Sequence, residues 1–317
     1  MRTTLLHNPG SGYGRYPKGR LLKLLRDNGY EPTYRTLDEG FENVPGEGGE
    51  LLVVAGGDGT LGQAAKAMVP RAEGSRVPLA VLPLGTANNT ARALGWRGTP
   101  EEIVPAWREA HPRPFDVGVA EGPWGKKHFL EAAGLGLFPE AITRLARRKK
   151  QREGRLSGPE EELAYDLRMM AGALEMQRVQ PFQVALDGED LSGQYLMVEA
   201  MNTEAVGPRL PLNAEAAPDD GFFEVVVLTE AERPVLTDYL DACANANDCE
   251  ADPPEPPPLS TRSGKHLRVH WQGRPLHADS QVWQHAPPAE AKADPADAPA
   301  TVELRLHAGA LRLLTRS

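Results

Sequence analysis

The residues from Gly56 to Thr60 read Gly-Gly-Asp-Gly-Thr and constrain the fold more than any other part of the sequence. The apolar run before them, residues 51–55, has the length of a buried parallel strand, and residues 61–68 have helical spacing. Adjacent glycines let a ligand approach the backbone, and a helix N-terminus offers free N–H groups to an anion. The segment predicts either a phosphate-binding loop or an ordinary strand-to-helix turn.

The carboxylate of Asp58 lies inside this motif, although a carboxylate normally repels a phosphate. Two interpretations fit its place. Asp58 either binds a Mg²⁺ ion that bridges to the phosphate, or turns back and accepts backbone hydrogen bonds that hold the loop.

Two further loops follow the same order of strand, glycine and helix. Residues 8–12 read Asn-Pro-Gly-Ser-Gly after a predicted strand at 3–6, and residues 85–89 read Gly-Thr-Ala-Asn-Asn after one at 77–82. Loops at the carboxyl ends of parallel strands converge on one edge of the sheet, where ligands of α/β sheets bind. Three convergent loops favour one nucleotide site, but the spacings of the Walker and dinucleotide-binding motifs are absent from the sequence.

The pattern of apolar residues changes near Phe115. Before it, short apolar runs alternate with helical stretches, which is typical of an α/β layer. After it, alternating segments at 182–186, 195–201, 222–228 and 267–271 predict an antiparallel β domain, with helices at about 141–151 and 159–176. The net charge of −9 argues against nucleic acid as the main partner. Cys243 and Cys249 lack the spacing of a zinc site, and we expect a cytoplasmic protein without a membrane span.

Six segments of the sequence together resemble one known family. They are, in order, NPGSG, GGDGT, PLGTANN, the Asp-Val-Gly that begins at Asp116, APDDGFFEVVVL and LHADSQ. Over nearly the whole chain, this order resembles the bacterial diacylglycerol kinase and YegS-like lipid kinase family. The resemblance implies an N-terminal α/β domain with a parallel sheet that binds ATP (1–115) and a C-terminal antiparallel β-sandwich-like domain for the lipid acceptor (116–300). It also implies an active site in the cleft and a C-terminal strand (301–317) that packs back on the first domain.

The resemblance also implies the residues of an ATP and Mg²⁺ site. The expected ATP contacts are Asn8, Gly10, Ser11, Thr36, Gly56, Gly57, Asp58, Gly59, Thr60, Gln63, Gly85, Thr86 and Asn89. The hydroxyl of Thr60 suits either a helix cap or a phosphate contact. A structural Mg²⁺ would be held by Asp220 and the carbonyls of Ala217 and Phe222, unless residues 219–221 form only a hairpin turn. Asp58 and Asp116 would belong to an Asp, water and Mg²⁺ network of the active site.

Three positions depart from the family pattern, because Gln63, Asn89 and Gln281 stand where the family commonly has carboxylates. Gln281 replaces the glutamate that resembles a general base for the acceptor hydroxyl. A base contributes about 10²–10⁴ in rate, so its loss should weaken activity without abolishing it. If residues 277–282 form one strand, Asp279 and Gln281 share a face, and Asp279 would serve as a substitute base.

Two other clusters have less weight. His266, His270, His277 and His285 lack the spacing of a metal site and are expected to be surface or hydrogen-bonded core residues. The basic run of residues 144–150 suits either anionic lipid headgroups or a solvated helix face.

Three functions therefore stay open. The leading one is an ATP- and Mg²⁺-dependent kinase that phosphorylates a hydroxyl of a lipid such as diacylglycerol, in phospholipid biosynthesis. The second is a catalytically silent nucleotide- or lipid-binding homologue, and the third is a small-molecule kinase similar to NAD kinases. The expected partners are ATP, a lipid or amphiphilic acceptor, the inner face of the membrane as a peripheral contact, and a second copy in a homodimer.

Overall fold

The computed structural model describes residues 1–39, 51–69, 77–151, 156, 158–246, 253–283 and 300–316. The chain divides into two compact units, one of Met1–Asp116 with Ala308–Ser317 and one of Val117–His307. The predicted domain limits at 115 and 300 stay predictions. The assignment of ATP binding to the first domain and of the acceptor to the second stays a prediction.

The first unit is built on a parallel sheet. Its first four strands are β1 (Arg2–His7), β2 (Glu31–Thr36), β3 (Leu51–Gly56) and β4 (Leu79–Pro83). β1 lies between β2 and β3, and β4 pairs with β3, all in parallel. β3 is buried along its whole length, as its continuous apolar sequence predicts for a central parallel strand.

Helices connect these strands. They are α1 (Lys18–Asp27), α2 (Asp58–Met68), α3 (Asn89–Ala93) and α4 (Pro100–Ala106). α1 buries Leu21 and Leu25, which lie four residues apart, whereas Leu22 and Leu24 remain partly exposed. Only two of the four leucines of α1 are therefore core residues.

The chain enters the second unit along β5 (His111–Gly122) and leaves it along β20 (Ala300–Thr315). The last part of β20 belongs to the first unit, where Leu313 pairs in parallel with Leu79 of β4. There the indole Nε1 of the buried Trp96 donates to the carbonyl oxygen of Leu314 (2.6 Å). This hydrogen bond anchors the end of the chain to the first unit.

The strands of one antiparallel sheet of the second unit are β7 (Ala132–Gly136), β12 (Met197–Met201), β15 (Phe223–Leu228), β16 (Ser260–Gly264), β18 (Leu276–Ala278) and β19 (Gln281–Trp283). Their order across the sheet is β16-β15-β12-β7-β18-β19. The opposing strands are β5 and β20 with β6 (Gly125–Phe129), β8 (Gln180–Phe182), β9 (Val184–Leu186), β10 (Glu189–Asp190), β11 (Gly193–Tyr195) and β17 (His266–Trp271). A short hairpin of β13 (Ala205–Val206) and β14 (Leu210–Pro211) lies between β12 and β15 in the chain.

Apolar side chains fill both faces of that sheet. One core joins residues of β7, β12 and β15 to residues of β9, β17 and β20, which makes a sandwich. The other core packs the sheet against α5 (Leu137–Gln151), α6 (Pro159–Met176) and α7 (Arg233–Asn245). The predicted fold class, an α/β domain with a parallel sheet followed by an antiparallel β-sandwich-like domain, is confirmed.

Candidate functional site

The three glycine-containing loops meet at the carboxyl edge of the parallel sheet, as the sequence predicted. β1, β3 and β4 end side by side at His7, Gly56 and Pro83. The backbone N–H of Asn8 donates to the carbonyl of Ala55 (3.0 Å), and that of Leu84 donates to the carbonyl of Gly56 (2.9 Å). Each loop therefore begins in hydrogen-bonded register with its neighbour.

Asn8 and Thr60 link the first two loops through their side chains. Nδ2 of Asn8 donates to Oγ1 of Thr60 (3.2 Å), while Oδ1 of Asn8 accepts from the N–H of Gly10 (3.0 Å). The N-cap of α2 is Gly57, so Thr60 is not the cap that one interpretation of the sequence assigned to it. The side chain of Thr60 is buried, and its hydrogen bond to Asn8 holds the two loops together.

Close packing, rather than a ligand alone, requires two of the motif's glycines. A Cβ on Gly56 would lie 2.4 Å from Oγ1 of Thr60, and one on Gly57 would lie 3.0 Å from Cα of Gly85. A Cβ on Gly85 would in turn lie 2.5 Å from Cα of Gly57. Gly59 differs, because it is exposed and nothing lies within 4 Å of its Cβ position. Gly59 is thus the glycine of this motif whose replacement tests an external ligand.

Asp58 connects the second loop to the third. Its Oδ1 accepts a hydrogen bond from the backbone N–H of Thr90 in α3 (3.2 Å). Of the two interpretations offered by the sequence, this contact favours the carboxylate that accepts backbone hydrogen bonds, although the donor lies in α3 and not in the loop of Asp58 itself. Asn88 stabilises the third loop through its side-chain amide, which accepts a hydrogen bond from the N–H of Gly85 (2.9 Å) and donates one to the carbonyl of Gly85 (2.8 Å). The backbone of Asn88 itself is left-handed, with φ 54.

The other predicted ATP contacts lie around the same edge. Thr36 ends β2 directly beside His7 in the sheet register, and Ser11 and Thr86 are half-buried in the first and third loops. Gln63 is exposed on α2, whereas Asn89 is buried at the start of α3. The edge therefore combines the N-terminus of α2, which suits an anion, with hydroxyl and amide side chains from the end of β2 and from the segments that follow β1, β3 and β4.

Asp116 is buried, and its Oδ1 accepts from the backbone N–H of Gly309 (2.6 Å). Gly309 has φ +58, a left-handed conformation that favours glycine. Asp116 therefore secures the left-handed residue of the C-terminal strand within the first unit. Its predicted place in a Mg²⁺ network stays a prediction.

The segment around Asp279 differs from the strand that the sequence predicted. Residues 277–282 do not form one strand: β18 ends at Ala278, β19 begins at Gln281, and the two strands pair as a hairpin around Asp279 and Ser280. Asp279 has φ 50, and its carboxylate accepts from the N–H groups of Leu130 (3.0 and 3.2 Å) and Glu131 (2.9 Å). The alternation argument that placed Asp279 and Gln281 on one face therefore fails, because a turn separates them.

A buried ion pair next to this turn was missed. Glu199 and His277 are both fully buried, and Oε1 of Glu199 lies 2.7 Å from Nε2 of His277. Burial raises the pKa of Glu199, and the attraction of His277 opposes only part of that rise. Burial also lowers the pKa of His277, but the Glu199 carboxyl and the Asp279 carbonyl outweigh it and raise the pKa overall. Both shifts keep a proton on the pair.

The predicted Mg²⁺ ligands lie in an exposed turn. Oδ1 of Asp220 accepts from the N–H of Phe222 (2.8 Å), which is the hydrogen bond of an Asx-turn. The ring of Phe222 lies 4.3 Å from Nζ of Lys265. One carboxylate with the carbonyls of Ala217 and Phe222 is a set of hard oxygen donors, which suits Mg²⁺. Among the described residues, no group of three or more His, Cys, Asp or Glu side chains is arranged to hold a metal.

The basic run lies on α5 and is partly neutralised. Arg144 pairs with Glu140 (2.6 Å), and Lys149 pairs with Glu162 (3.0 Å). Arg147 and Arg148 are exposed. In the part of the chain that the structure describes, no helix is both long and apolar enough to cross a membrane.

The histidines do not form one cluster within the described residues. His266 faces Glu303 at 3.7 Å, His270 is exposed and His277 is buried. His285 and Cys249 lie outside the described residues. Cys243 is buried in the core of α7.

Comparison with known proteins assigns the chain to a family. Residues 2–120 match the family model of the diacylglycerol kinase catalytic domain. The chain is 31% identical over 237 residues to the "Probable lipid kinase YegS-like" of Chromohalobacter salexigens, covering 71% of each chain. It is 28% identical over 241 residues to the diacylglycerol kinase of Bacillus subtilis, covering 73% of this chain and 74% of the relative.

The fold is also shared with a solved structure. A diacylglycerol kinase from Bacillus anthracis superposes with a TM-score of 0.68 at 18% identity, over 99% of this chain and 96% of that one. The sequence relatives and this shared fold lead to one conclusion: the chain belongs to the diacylglycerol kinase and YegS-like lipid kinase family.

Proposed function

We propose that this protein is an ATP-dependent kinase that transfers the γ-phosphoryl group of ATP to a hydroxyl of a lipid such as diacylglycerol. The observation that carries the proposal is the convergence of three glycine-containing loops at the N-terminus of α2. Such an edge offers backbone N–H groups and a positive helix end to a polyphosphate. Phosphoryl transfer depends mainly on positioning and charge stabilisation, which such a site supplies.

The nucleotide would lie along the loop edge. Gly59 and the first N–H groups of α2 would contact phosphate, with Thr36, Gln63, Thr86 and the amide of Asn89 around it. Asn8, Gly10 and Ser11 would close the edge from β1. Asp58 and Thr60 already have partners within the loops, so they would act mainly by holding the loops in place.

Mg²⁺ would serve two roles. A bound ion would neutralise the charge of the transferred phosphoryl group. A second, structural ion would be held by Asp220 with the carbonyls of Ala217 and Phe222. Oδ1 of Asp220 accepts one backbone hydrogen bond within the turn, and the other carboxylate oxygen would serve as the ligand to the ion.

One observation favours a second candidate, a weakened or silent homologue. The carboxylate of Asp279 accepts backbone hydrogen bonds from Leu130 and Glu131, and the neighbouring Gln281 cannot take up a proton. Asp279 is therefore a poor substitute for a general base. Asp279→Asn is also an unsuitable test of that role, because an amide NH₂ group facing these N–H donors would disrupt the turn.

Replacement of Gly59 tests the nucleotide site. Gly59 is the second residue of α2, exposed, and free of neighbours within 4 Å of its Cβ position. We expect Gly59→Val to preserve the fold and weaken ATP binding at least tenfold by calorimetry, since the side chain covers the backbone that faces the phosphate. Gly19→Val is the matched control, because Gly19 is the second residue of α1 and is equally open. Equal ATP affinity in both variants would show that ATP does not bind at the loop edge.

Phosphorylation assays test the reaction itself. The purified protein is given ATP and Mg²⁺ with diacylglycerol, other lipids with free hydroxyls, and NAD as the small-molecule alternative. A carboxylate at position 281 restores a base, so Gln281→Glu should raise lipid phosphorylation by about 10² or more. Turnover that appears only in Gln281→Glu would identify the wild type as the silent homologue, and phosphorylation of NAD alone would favour the third function.

A further inference from the structure

Glu199 and His277 come together across a glycine. β12 and β18 flank β7, and both Glu199 and His277 lie in register with Gly134 of the middle strand. Because Gly134 has no side chain, the carboxyl and the imidazole can meet over the strand that separates them. A Cβ on Gly134 would lie 2.1 Å from Oε2 of Glu199. The pair therefore depends on three residues that lie far apart in the sequence.

His277 connects the buried pair to the turn at Asp279. The carbonyl oxygen of Asp279 lies 2.8 Å from Nδ1 of His277, and since a carbonyl only accepts, Nδ1 carries a hydrogen. Nε2 is occupied by Glu199, and the ring of Phe138 stacks on the imidazole with centroids 5.5 Å apart. These contacts fix the orientation of the imidazole ring. The N–H therefore points at one carbonyl, that of a residue at φ 50.

The turn at Asp279 also fixes the connection between β6 and β7. The Asp279 carboxylate accepts hydrogen bonds from the N–H groups of Leu130 and Glu131, and the backbone N–H of Asp279 donates to the carbonyl of Ala132 (2.8 Å). On the other side, the buried Asn202 donates through Nδ2 to the carbonyl of Leu130 (2.9 Å). The hairpin that presents Gln281 is thus bound to the sheet through Asp279.

We propose that Glu199 and His277 are positioning residues for phosphoryl transfer: the N–H of His277, oriented by Glu199, holds the carbonyl of Asp279 and so fixes the hairpin that carries Gln281. The reaction in this statement rests on the proposed function. Stability alone is a poor explanation for the pair, because replacing a buried ion pair by apolar groups is often neutral or stabilising. A directed N–H, by contrast, requires a polar group at this place.

Two double variants separate the donor from the rest of the pair. In Glu199→Met with His277→Asn, the asparagine NH₂ lies about where Nδ1 of histidine lies and keeps the donor. In Glu199→Met with His277→Leu, a side chain of similar size has no donor. Neither variant leaves an unpaired buried carboxyl, and thermal unfolding checks that both fold. Glu199→Gln, which keeps both hydrogen bonds of His277, is the conservative control.

Amide hydrogen exchange without substrates gives the first readout. We expect the N–H groups of Leu130, Glu131 and Asp279 to lose protection about tenfold or more in the Leu variant and to stay within about threefold of wild type in the Asn variant and in Glu199→Gln. Equal protection in the two double variants would overturn the proposal. Loss of protection in Glu199→Gln would also overturn it, and that variant serves if the double variants do not fold.

Kinetics gives the second readout. In the lipid phosphorylation assay, the Leu variant should lower kcat about tenfold or more at unchanged KM for ATP, and the Asn variant should restore it. An equal kcat in both folded variants would refute the positioning role. A wild type without turnover on any lipid would instead refute the proposed function, and the exchange measurement would still decide whether His277 holds the turn.

Discussion

Gly134→Ala tests the space that the buried pair occupies. The new Cβ would lie 2.1 Å from Oε2 of Glu199 and 2.3 Å from the carbonyl oxygen of Val198. Real Cβ atoms do not approach so closely, so Glu199 must leave His277 or the strands must separate. Overpacking costs about 1–3 kcal/mol, and breaking a buried ion pair about 3–5 kcal/mol. Because the structure will relax by whichever response costs less free energy, we expect the free energy of unfolding to fall by about 3 kcal/mol.

Thermal unfolding followed by circular dichroism measures this loss. For a unit of this size, about 3 kcal/mol lowers the midpoint by roughly 6–12 °C. Gly172→Ala is the control of opposite sign: Gly172 lies in α6 with nothing within 4 Å of its Cβ position, and alanine in a helix stabilises by about 0.5–1 kcal/mol. A midpoint for Gly134→Ala within about 1 °C of wild type would refute the account of the pair, since the strands would then accommodate a side chain there.

Three further predictions concern pH, the C-terminal strand and the basic helix. The pKa of His277 is raised above the ordinary histidine pKa of 6.5, so the native state binds more protons than the unfolded state as pH rises from there, and the free energy of unfolding should fall. Glu199→Met with His277→Leu should flatten this slope in denaturant titrations, and an unchanged slope would assign it to another group. Trp96→Phe leaves the carbonyl of Leu314 without its donor and should destabilise the first unit by about 1–3 kcal/mol in the same titrations; no loss would contradict the anchoring role. Arg147→Glu with Arg148→Glu should weaken sedimentation with anionic vesicles about tenfold or more at low salt, since each basic residue contributes about 1 kcal/mol, and insensitivity to both salt and charge reversal would exclude this face from membrane contact.

The local features of the fold could be read from the sequence. The apolar run of β3 and the glycines after it predicted a buried parallel strand and a strand-to-helix loop, and the helix predicted at 159–176 has the bounds of α6. Such features depend on residues close together in the chain, which periodicity reports directly. α7 was missed, although Leu236, Tyr239, Leu240 and Cys243 have the spacing of a buried helical face.

The strand breaks in the second unit were less visible. Residues 182–186 were predicted as one strand, but β8 and β9 divide at Gln183, and residues 195–201 divide between β11 and β12 at Leu196. Alternation predicts which residues are extended, but it does not tell which partner strand each of them joins. A strand that changes partner therefore looks continuous in the sequence.

The sequence by itself determined the class of fold, the loops that meet at the sheet edge and the family to which the chain belongs. Tertiary structure alone decided which residues distant in the chain come into contact. Asp58 bonds Thr90, Gly57 packs on Gly85, and Glu199 meets His277 over a glycine that lies in neither residue's neighbourhood in the chain. Each of these contacts depends on the register between strands or loops distant in sequence, and a one-residue shift in that register would turn every side chain to the opposite face.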